Sequence, residues 1–190
     1  EAAPLPRSFR QYILLLLGAN FWSKMLGTLW RGCTGRFSQA ERGYIPHGEL
    51  AKVSLEVRVM VTLYAAITLA SILTASWLAV TYWLLPRILG EPLLRAIRMT
   101  EHTGTLEGPD LLSNTRTTLT NPVFRALYWN MAFHTEHHLA SSVPFHALVR
   151  LHEEIKPHLR FSGEGYWQVH RQIRNQIATG KPRHLATLDR

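Results

Sequence analysis

VMVTLYAAITLASILTASWLAVTYWLLP, residues 59–86, carries no Asp, Glu, Lys, Arg or His and is bounded by Arg58 and Arg87. About 20 apolar residues are enough to cross a bilayer core. As one helix the run would extend about 42 Å at 1.5 Å per residue, longer than that core. Two arrangements fit. One is a single tilted span. The other is a helical hairpin that turns near Thr74, Ala75 and Ser76 and runs on through Pro86 and Gly90 to Leu94. Arg42, Lys52 and Arg58 precede the run, and Arg87, Arg95 and Arg98 follow it. The excess of Lys and Arg on cytoplasmic flanks places both ends on the same side, which only an even number of crossings allows. The charge pattern therefore favours a transmembrane hairpin over 58–98. Trp77, Tyr82 and Trp83 serve there as interfacial anchors or as packing residues.

Upstream, residues 11–30 (QYILLLLGANFWSKMLGTLW) are apolar, but only 13 uncharged residues separate Arg10 from Lys24, too few to span. Leu14, Leu17, Phe21, Met25 and Leu29 recur at helical spacing, while Trp22, Lys24, Trp30 and Arg31 suit a headgroup region. The stretch reads as an interfacial or re-entrant helix, with a buried helix of a soluble core as the alternative. Residues 31–57 are loop-like, punctuated by Gly32, Gly35, Gly43, Pro46 and Gly48.

Downstream of Met99 the chain turns polar, and residues 99–190 read as a cytosolic region and tail. Residues 100–120 form a loop. Asn121 as cap and Pro122 at the first helical position predict a helix from 122 to about 139. Ser141 and Ser142 suggest a second cap, before a helix that runs to about Lys156 and stops at Pro157. A last amphipathic helix, from about Tyr166 to Ala178, places Tyr166, Val169, Ile173 and Ile177 on one face, with Gly180 as its stop. The expected architecture is an all-α integral membrane helical bundle in one domain.

Composition narrows the classes further. Of 190 residues, 46% are hydrophobic, which excludes a disordered chain. The single cysteine, Cys33, excludes a disulfide framework and a thiolate metal cluster within this chain. The net charge of +8 points to an anionic partner. No nucleic-acid motif accompanies it and the basic residues are scattered, so a membrane surface is the better match and nucleic acid is not expected. The chain begins at Glu1 with no leader segment, which predicts an internal or C-terminal piece of a longer protein.

Ten histidines are present, and the densest group lies in NMAFHTEHHLASSVPFHAL, residues 130–148. His134, His137 and His138 stand at i, i+3 and i+4, on one face of a helix. Three imidazoles among apolar Phe133, Leu139 and Val143 are costly to bury unless they bind something, and neutral imidazole suits iron, zinc or copper. Thr135 follows His134 where the zinc-protease signature needs Glu. Glu136 falls on another helical face, as an acceptor for an imidazole N–H or as a surface charge. His146, His152 and His158 are six apart and read as interfacial or surface residues, and His47 stands alone. Arg116 and Arg125 read as phosphate or carboxylate contacts or as membrane-surface charges. No nucleophile elbow, P-loop or dinucleotide spacing is present.

HTEHH (134–138) resembles the third histidine box, HxxHH, of the membrane fatty acid desaturase superfamily, the integral-membrane histidine-box di-iron enzymes. TEHTG (100–104), NTRTTLTNP (114–122) and VPFHAL with LHEE (143–154) are similar to bacterial-type members, and the resemblance extends over the whole chain as a C-terminal portion. It implies two non-haem irons held by histidines from three boxes, at the cytosolic face of a four-span bundle. It implies dioxygen as co-substrate, a membrane lipid or acyl substrate, and electrons from a ferredoxin or a cytochrome b-type haem protein. His134, His137 and His138 would be iron ligands, and His102 would match the additional histidine before the third box. Asn130 matches a position that holds an iron-bound water in some relatives. The first box, HxxxH, and the second, HxxHH, are missing, so this chain alone is expected to be an inactive fragment of an active desaturase. Two alternatives stay open: a lipid, alkane or carotenoid hydroxylase or ketolase of the same superfamily, and a non-catalytic metal-binding membrane protein.

Overall fold

The computed structural model describes residues 3–180. In chain order the helices are α1 (Phe9–Leu16), α2 (Ala19–Thr34), α3 (Gln39–Tyr44), α4 (Leu50–Leu73), α5 (Leu85–His102), α6 (Pro122–Leu127), α7 (His134–Leu139), α8 (Leu148–Ile155) and α9 (Tyr166–Thr179). The described strands are β1 (Thr117–Thr118) and β2 (Ser162–Gly163), paired in parallel. The all-α expectation holds. The chain divides into two compact units, residues 17–92 and residues 3–16 with 93–180.

The unit of residues 17–92 carries the apolar helices. Gly18, at φ 70°, breaks the stretch 11–30 into α1 and α2, because the left-handed conformation costs glycine little. Below that break α2 packs on α4 at close range. A Cβ on Gly32 would lie 2.9 Å from Val57 Cγ2, so glycine is what lets the backbones approach. Ser54 Oγ donates to the Gly32 carbonyl at 2.7 Å and Arg58 Nε to the Cys33 carbonyl at 2.8 Å, satisfying carbonyls at the end of α2. Within 31–57, expected to be loop, Ser38 and Glu41 close a capping box that starts α3. Arg31 grips Glu41 with two nitrogens and holds its carboxyl down at about 2.

The segment His47–Leu73 is long and apolar enough to cross a membrane, and none of its apolar window is buried within the protein. The chain turns where the sequence suggested: Thr74 ends α4, Ala75 sits at φ 50°, and Ser76 N–H bonds back to the Ser71 carbonyl. The second arm touches the first, with the Tyr64 and Trp83 rings 4.6 Å apart. A π-helical turn, Val80–Leu84, precedes Pro86 and accommodates the missing N–H there. The arm therefore continues past Pro86, Gly90 and Leu94 into α5, as far as His102.

The other unit has a small apolar core of Tyr12, Met99, Val169 and Ile173, with Leu5, Leu15, Leu16 and Ile177 packed against it. His170 pins α9 from two sides. Its Nε2 donates to the Ala96 carbonyl at 3.0 Å, so its Nδ1 accepts from the Tyr12 hydroxyl at 3.0 Å. Burial lowers the His170 pKa, in keeping with a neutral ring.

Two sequence expectations need correcting here. The helix expected over 122–139 is two helices, because Trp129 and Asn130 both adopt φ 54° and end the first. Left-handed backbone at a bulky residue costs about 1–3 kcal/mol, and two contacts hold it: Asn130 Nδ2 donates to the Phe145 carbonyl, and the Trp129 and Phe145 rings lie 4.8 Å apart. Ser141 and Ser142 do not cap the next helix. A 3-10 turn, Phe145–Ala147, leads into α8 instead. The α-helix α8 does end just before Pro157, at Ile155, and a 3-10 turn over Lys156–His158 follows with proline near its start.

A Cβ on Gly163 would lie 2.4 Å from Val169 Cγ2, and Val169 is fully buried. Gly163→Ala is therefore expected to destabilise the unit by about 1–3 kcal/mol through overpacking. Gly43→Ala, with nothing within 4 Å, should leave the melting temperature within error of the parent or slightly above it. Paired thermal melts of the two variants check this.

Candidate metal centre

His102 closes α5, while His134 and His138 lie one turn apart on α7. These three rings converge, and one nitrogen from each lies within 4.8 Å of the others. His134 Nε2 is 2.9 Å from His102 Nε2 and 3.1 Å from His138 Nε2. A neutral ring nitrogen in the plane has either one proton or one lone pair. His134 Nε2 can therefore satisfy only one of its two neighbours by an ordinary hydrogen bond. A cation can accept all three lone pairs. Ligands at right angles around a metal with bonds of about 2.1 Å stand about 3.0 Å apart, which matches the observed spacing.

Electrostatics agree. Burial first, then the neighbouring His102, His138 and His137 rings and Arg98, push the His134 pKa down to about 2. The ring is neutral over the physiological range and its lone pair is available. His134 Nδ1 is buried with no hydrogen-bond partner, so this ring is not held by the outer acceptor that metal-binding histidines usually have. His137 stands at the edge of the group, its ring 6.2 Å from that of His134 and 5.8 Å from that of His138.

The geometry depends on segment 114–118. Neighbouring side chains of this segment point opposite ways, and the alternation joins two helices. Arg116, 1% exposed, turns one way. Its Nη1 donates to the Thr100 carbonyl at 2.5 Å and its Nη2 to the Thr103 carbonyl at 3.1 Å, while its own N–H reaches the Glu101 carbonyl. It thereby caps the end of α5 beside His102, where cations are favoured. Burial lowers the Arg116 pKa to about 10. Thr115 and Thr117 turn the other way, onto α7. Their hydroxyls meet Thr135 Oγ1 at 3.1 Å and Glu136 Oε2. Thr118 N–H bonds the Ala132 carbonyl just before α7.

The opposite face of α7 is equally tied. Glu136 is fully buried, and its Oε1 lies 2.5 Å from His152 Nδ1 on α8. The His152 ring packs on Phe133 at 4.8 Å. Glu136 thus accepts from an imidazole, that of His152 rather than of the converging three, and it is no surface charge.

Further sequence expectations are corrected by this geometry. His152 is buried because Glu136 supplies a partner, whereas His146 and His158 are exposed as read. Arg116 is buried rather than at a surface, and it serves backbone carbonyls. The Arg125 guanidinium lies over the Phe133 ring at 5.6 Å. Asn130 lies outside α7, which begins at His134, and its amide donates to the Phe145 carbonyl. Glu101 and Tyr128 were missed. Glu101 is 2% exposed, its Oε2 is 3.7 Å from His134 Nε2, and the Tyr128 hydroxyl donates to its Oε1 at 3.2 Å. Burial raises the Glu101 pKa to about 7, outweighing the Tyr128 bond and the Arg98 charge. Its only sequence signal is adjacency to His102.

Fold and cluster together define a helical protein with an uncovered apolar span and a histidine cage suited to a metal ion. The family model of fatty acid desaturases matches residues 1–170, so the chain belongs to the fatty acid desaturase family. Membership makes it a membrane-associated oxidoreductase of lipid metabolism, in a family that is generally iron-dependent. No curated protein and no solved structure matches the chain.

His152→Ala would leave the buried Glu136 carboxyl without its imidazole. A loss of about 2–5 kcal/mol is expected, as for a broken buried pair. His146→Ala and His158→Ala, at exposed positions, should stay within about 0.5 kcal/mol of the parent. Denaturation midpoints of the three variants decide the point. Equal, small effects would contradict a buried role for His152.

Proposed function

We propose that this chain carries part of the iron site of an acyl-lipid desaturase. The observation that supports the reading most is the convergence of His102, His134 and His138 through their Nε2 atoms. His137 is proposed as a fourth ligand. The overall reaction takes one CH2–CH2 pair, one dioxygen, two electrons and two protons to one CH=CH and two waters. Two bound non-haem irons with dioxygen supply the oxidising power for unactivated C–H bonds. The protein's own part is to present neutral rings, hold them by hydrogen-bonded helix ends, and keep the site largely buried.

The electron donor in this reading is a ferredoxin or a cytochrome b-type protein. The net charge of +8 favours an acidic donor surface. The protein is read as multi-pass, with the histidine region on the cytoplasmic side. Four histidines fall short of the two-iron set, so the first and second boxes are proposed to come from further residues of the intact protein, and this chain alone should not turn over.

The test is substitution in the intact protein in membranes, with product mass as readout. His134→Ala, His137→Ala or His138→Ala should each reduce turnover to background, and wild-type rates would overturn the ligand assignment. A product lighter by two hydrogens supports the desaturase. A gain of oxygen replaces it with a lipid, alkane or carotenoid hydroxylase or ketolase. Bound metal with no product replaces it with a non-catalytic metal-binding protein.

A further inference from the structure

We infer that the exposed face made by α6, the turn at Trp129 and residues 145–149 is a membrane-contact surface, which seats the histidine-bearing unit in the headgroup boundary of a bilayer. The inference stands apart from the reading of the histidine cage as a metal site.

Exposure is the first argument. Val123 is 71% exposed, Leu127 76% and Trp129 64%. Val123 and Leu127 are four apart on α6 and so share a face. The Trp129 and Phe145 rings lie 4.8 Å apart, and Phe145 and Val149 are themselves exposed. Two separate stretches of chain thus bring apolar side chains to one surface. Single exposed hydrophobic residues are ordinary, whereas a group of them marks a contact surface.

Backbone strain is the second argument. Trp129 and Asn130 both adopt φ 54°. A bulky residue persists in that region only where its surroundings fix it, and such strain gathers at functional positions. Here Phe145 does the fixing: its ring stacks on Trp129 and its carbonyl accepts from Asn130 Nδ2. The result is an indole held at the surface, not one packed into a core. An indole has an apolar body and one N–H, which suits a boundary that is apolar on one side and wet on the other.

Charge decides the occupant. Between Asn121 and Leu151 the sole acidic residue is Glu136, and it is fully buried. The surface of this stretch therefore presents no carboxylate. Its arginines are Arg125, which lies over Phe133, and Arg150, which directly follows Val149 with its side chain 89% exposed. Acidic side chains resume only at Glu153 and Glu154, and the exposed contact of Arg150 with Glu154, at 3.7 Å, is weak in water. Anionic headgroups are attracted by such an edge and meet no like charge on the face, while the apolar side chains reach the acyl boundary. An acidic protein partner would call for a denser set of cations than two arginines. The chain belongs to a membrane-associated family, so a bilayer is at hand.

The experiment uses the intact protein in vesicles of phosphatidylcholine and phosphatidylglycerol. In a background freed of native cysteines, Cys33→Ser included, Val123→Cys, Leu127→Cys and Glu107→Cys each receive a nitroxide label. Glu107 is exposed in the polar loop before β1 and serves as the water reference. Relaxation by oxygen, which concentrates in lipid, is compared with relaxation by a water-soluble nickel chelate. The oxygen-to-nickel ratio should be several-fold higher at positions 123 and 127 than at 107. Brominated acyl chains should also quench a share of the tryptophan emission that is missing from Trp129→Phe. A ratio equal to that at 107 would place the face in water and overturn the inference. Labels that neither relaxant reaches would put a protein partner, or another part of the intact protein, on the face and would overturn it as well. Val123 and Leu127 are exposed, so these replacements should leave folding intact.

Discussion

The nitrogen of His134, about 3 Å from those of both His102 and His138, imposes the constraint from which the rest follows. His134 Nε2 touches both His102 Nε2 and His138 Nε2, and one proton cannot serve both contacts. Burial first, and then the like charges of the neighbouring rings, make protonation costly, and the depressed His134 pKa expresses that cost. The arrangement is favourable when the lone pairs have a common acceptor. Holding it requires two helix ends, one from α5 and one from α7, fixed to within a fraction of an ångström.

Segment 114–118 meets that requirement with a simple device. Its neighbouring side chains point to opposite sides. Arg116 therefore reaches the last carbonyls of α5, while Thr115 and Thr117 reach Thr135 and Glu136 on α7. One short stretch sets the end that carries His102 against the helix that carries His134 and His138. His152 braces α7 from α8 through the same Glu136. A one-residue slip in this segment would exchange the two faces and undo both sets of contacts.

Much of this was legible in sequence, and the remainder has physical reasons for being hidden. The apolar run of 59–86, its turn at Thr74–Ala75–Ser76 and the amphipathic α9 are periodic or compositional signals, and the chain follows them. HTEHH places His134 and His138 on one helical face by spacing alone. His102 entered only through resemblance to a family, because 32 positions separate it from His134 and no local pattern spans that distance. The helix break at Trp129 and Asn130 could not be read, since neither Gly nor Pro marks it and the left-handed pair is held by Phe145, 15 residues on. His152 and Arg116 looked like surface residues because charge is the usual sign of exposure. Their burial depends on partners contributed by other elements.

The composition of the unit around the cage explains why it relies on hydrogen bonds. Its apolar core is small, centred on Tyr12, Met99, Val169 and Ile173. Thr100, Glu101, Thr103, Thr115, Arg116, Thr117, Thr135 and Glu136 are all buried near the histidines. Apolar contact is non-directional and tolerates rotation of a helix by a few degrees. Such a rotation would move an imidazole nitrogen out of the cage. Hydrogen bonds to backbone carbonyls and carboxyl oxygens are directional and weaken steeply with misalignment. A polar network of this kind is costly when a member is missing and rigid when it is complete. The buried polar shell is therefore what a site of converging lone pairs demands, while the long segment from His47 to Leu73 carries an apolar window of which the protein itself buries none.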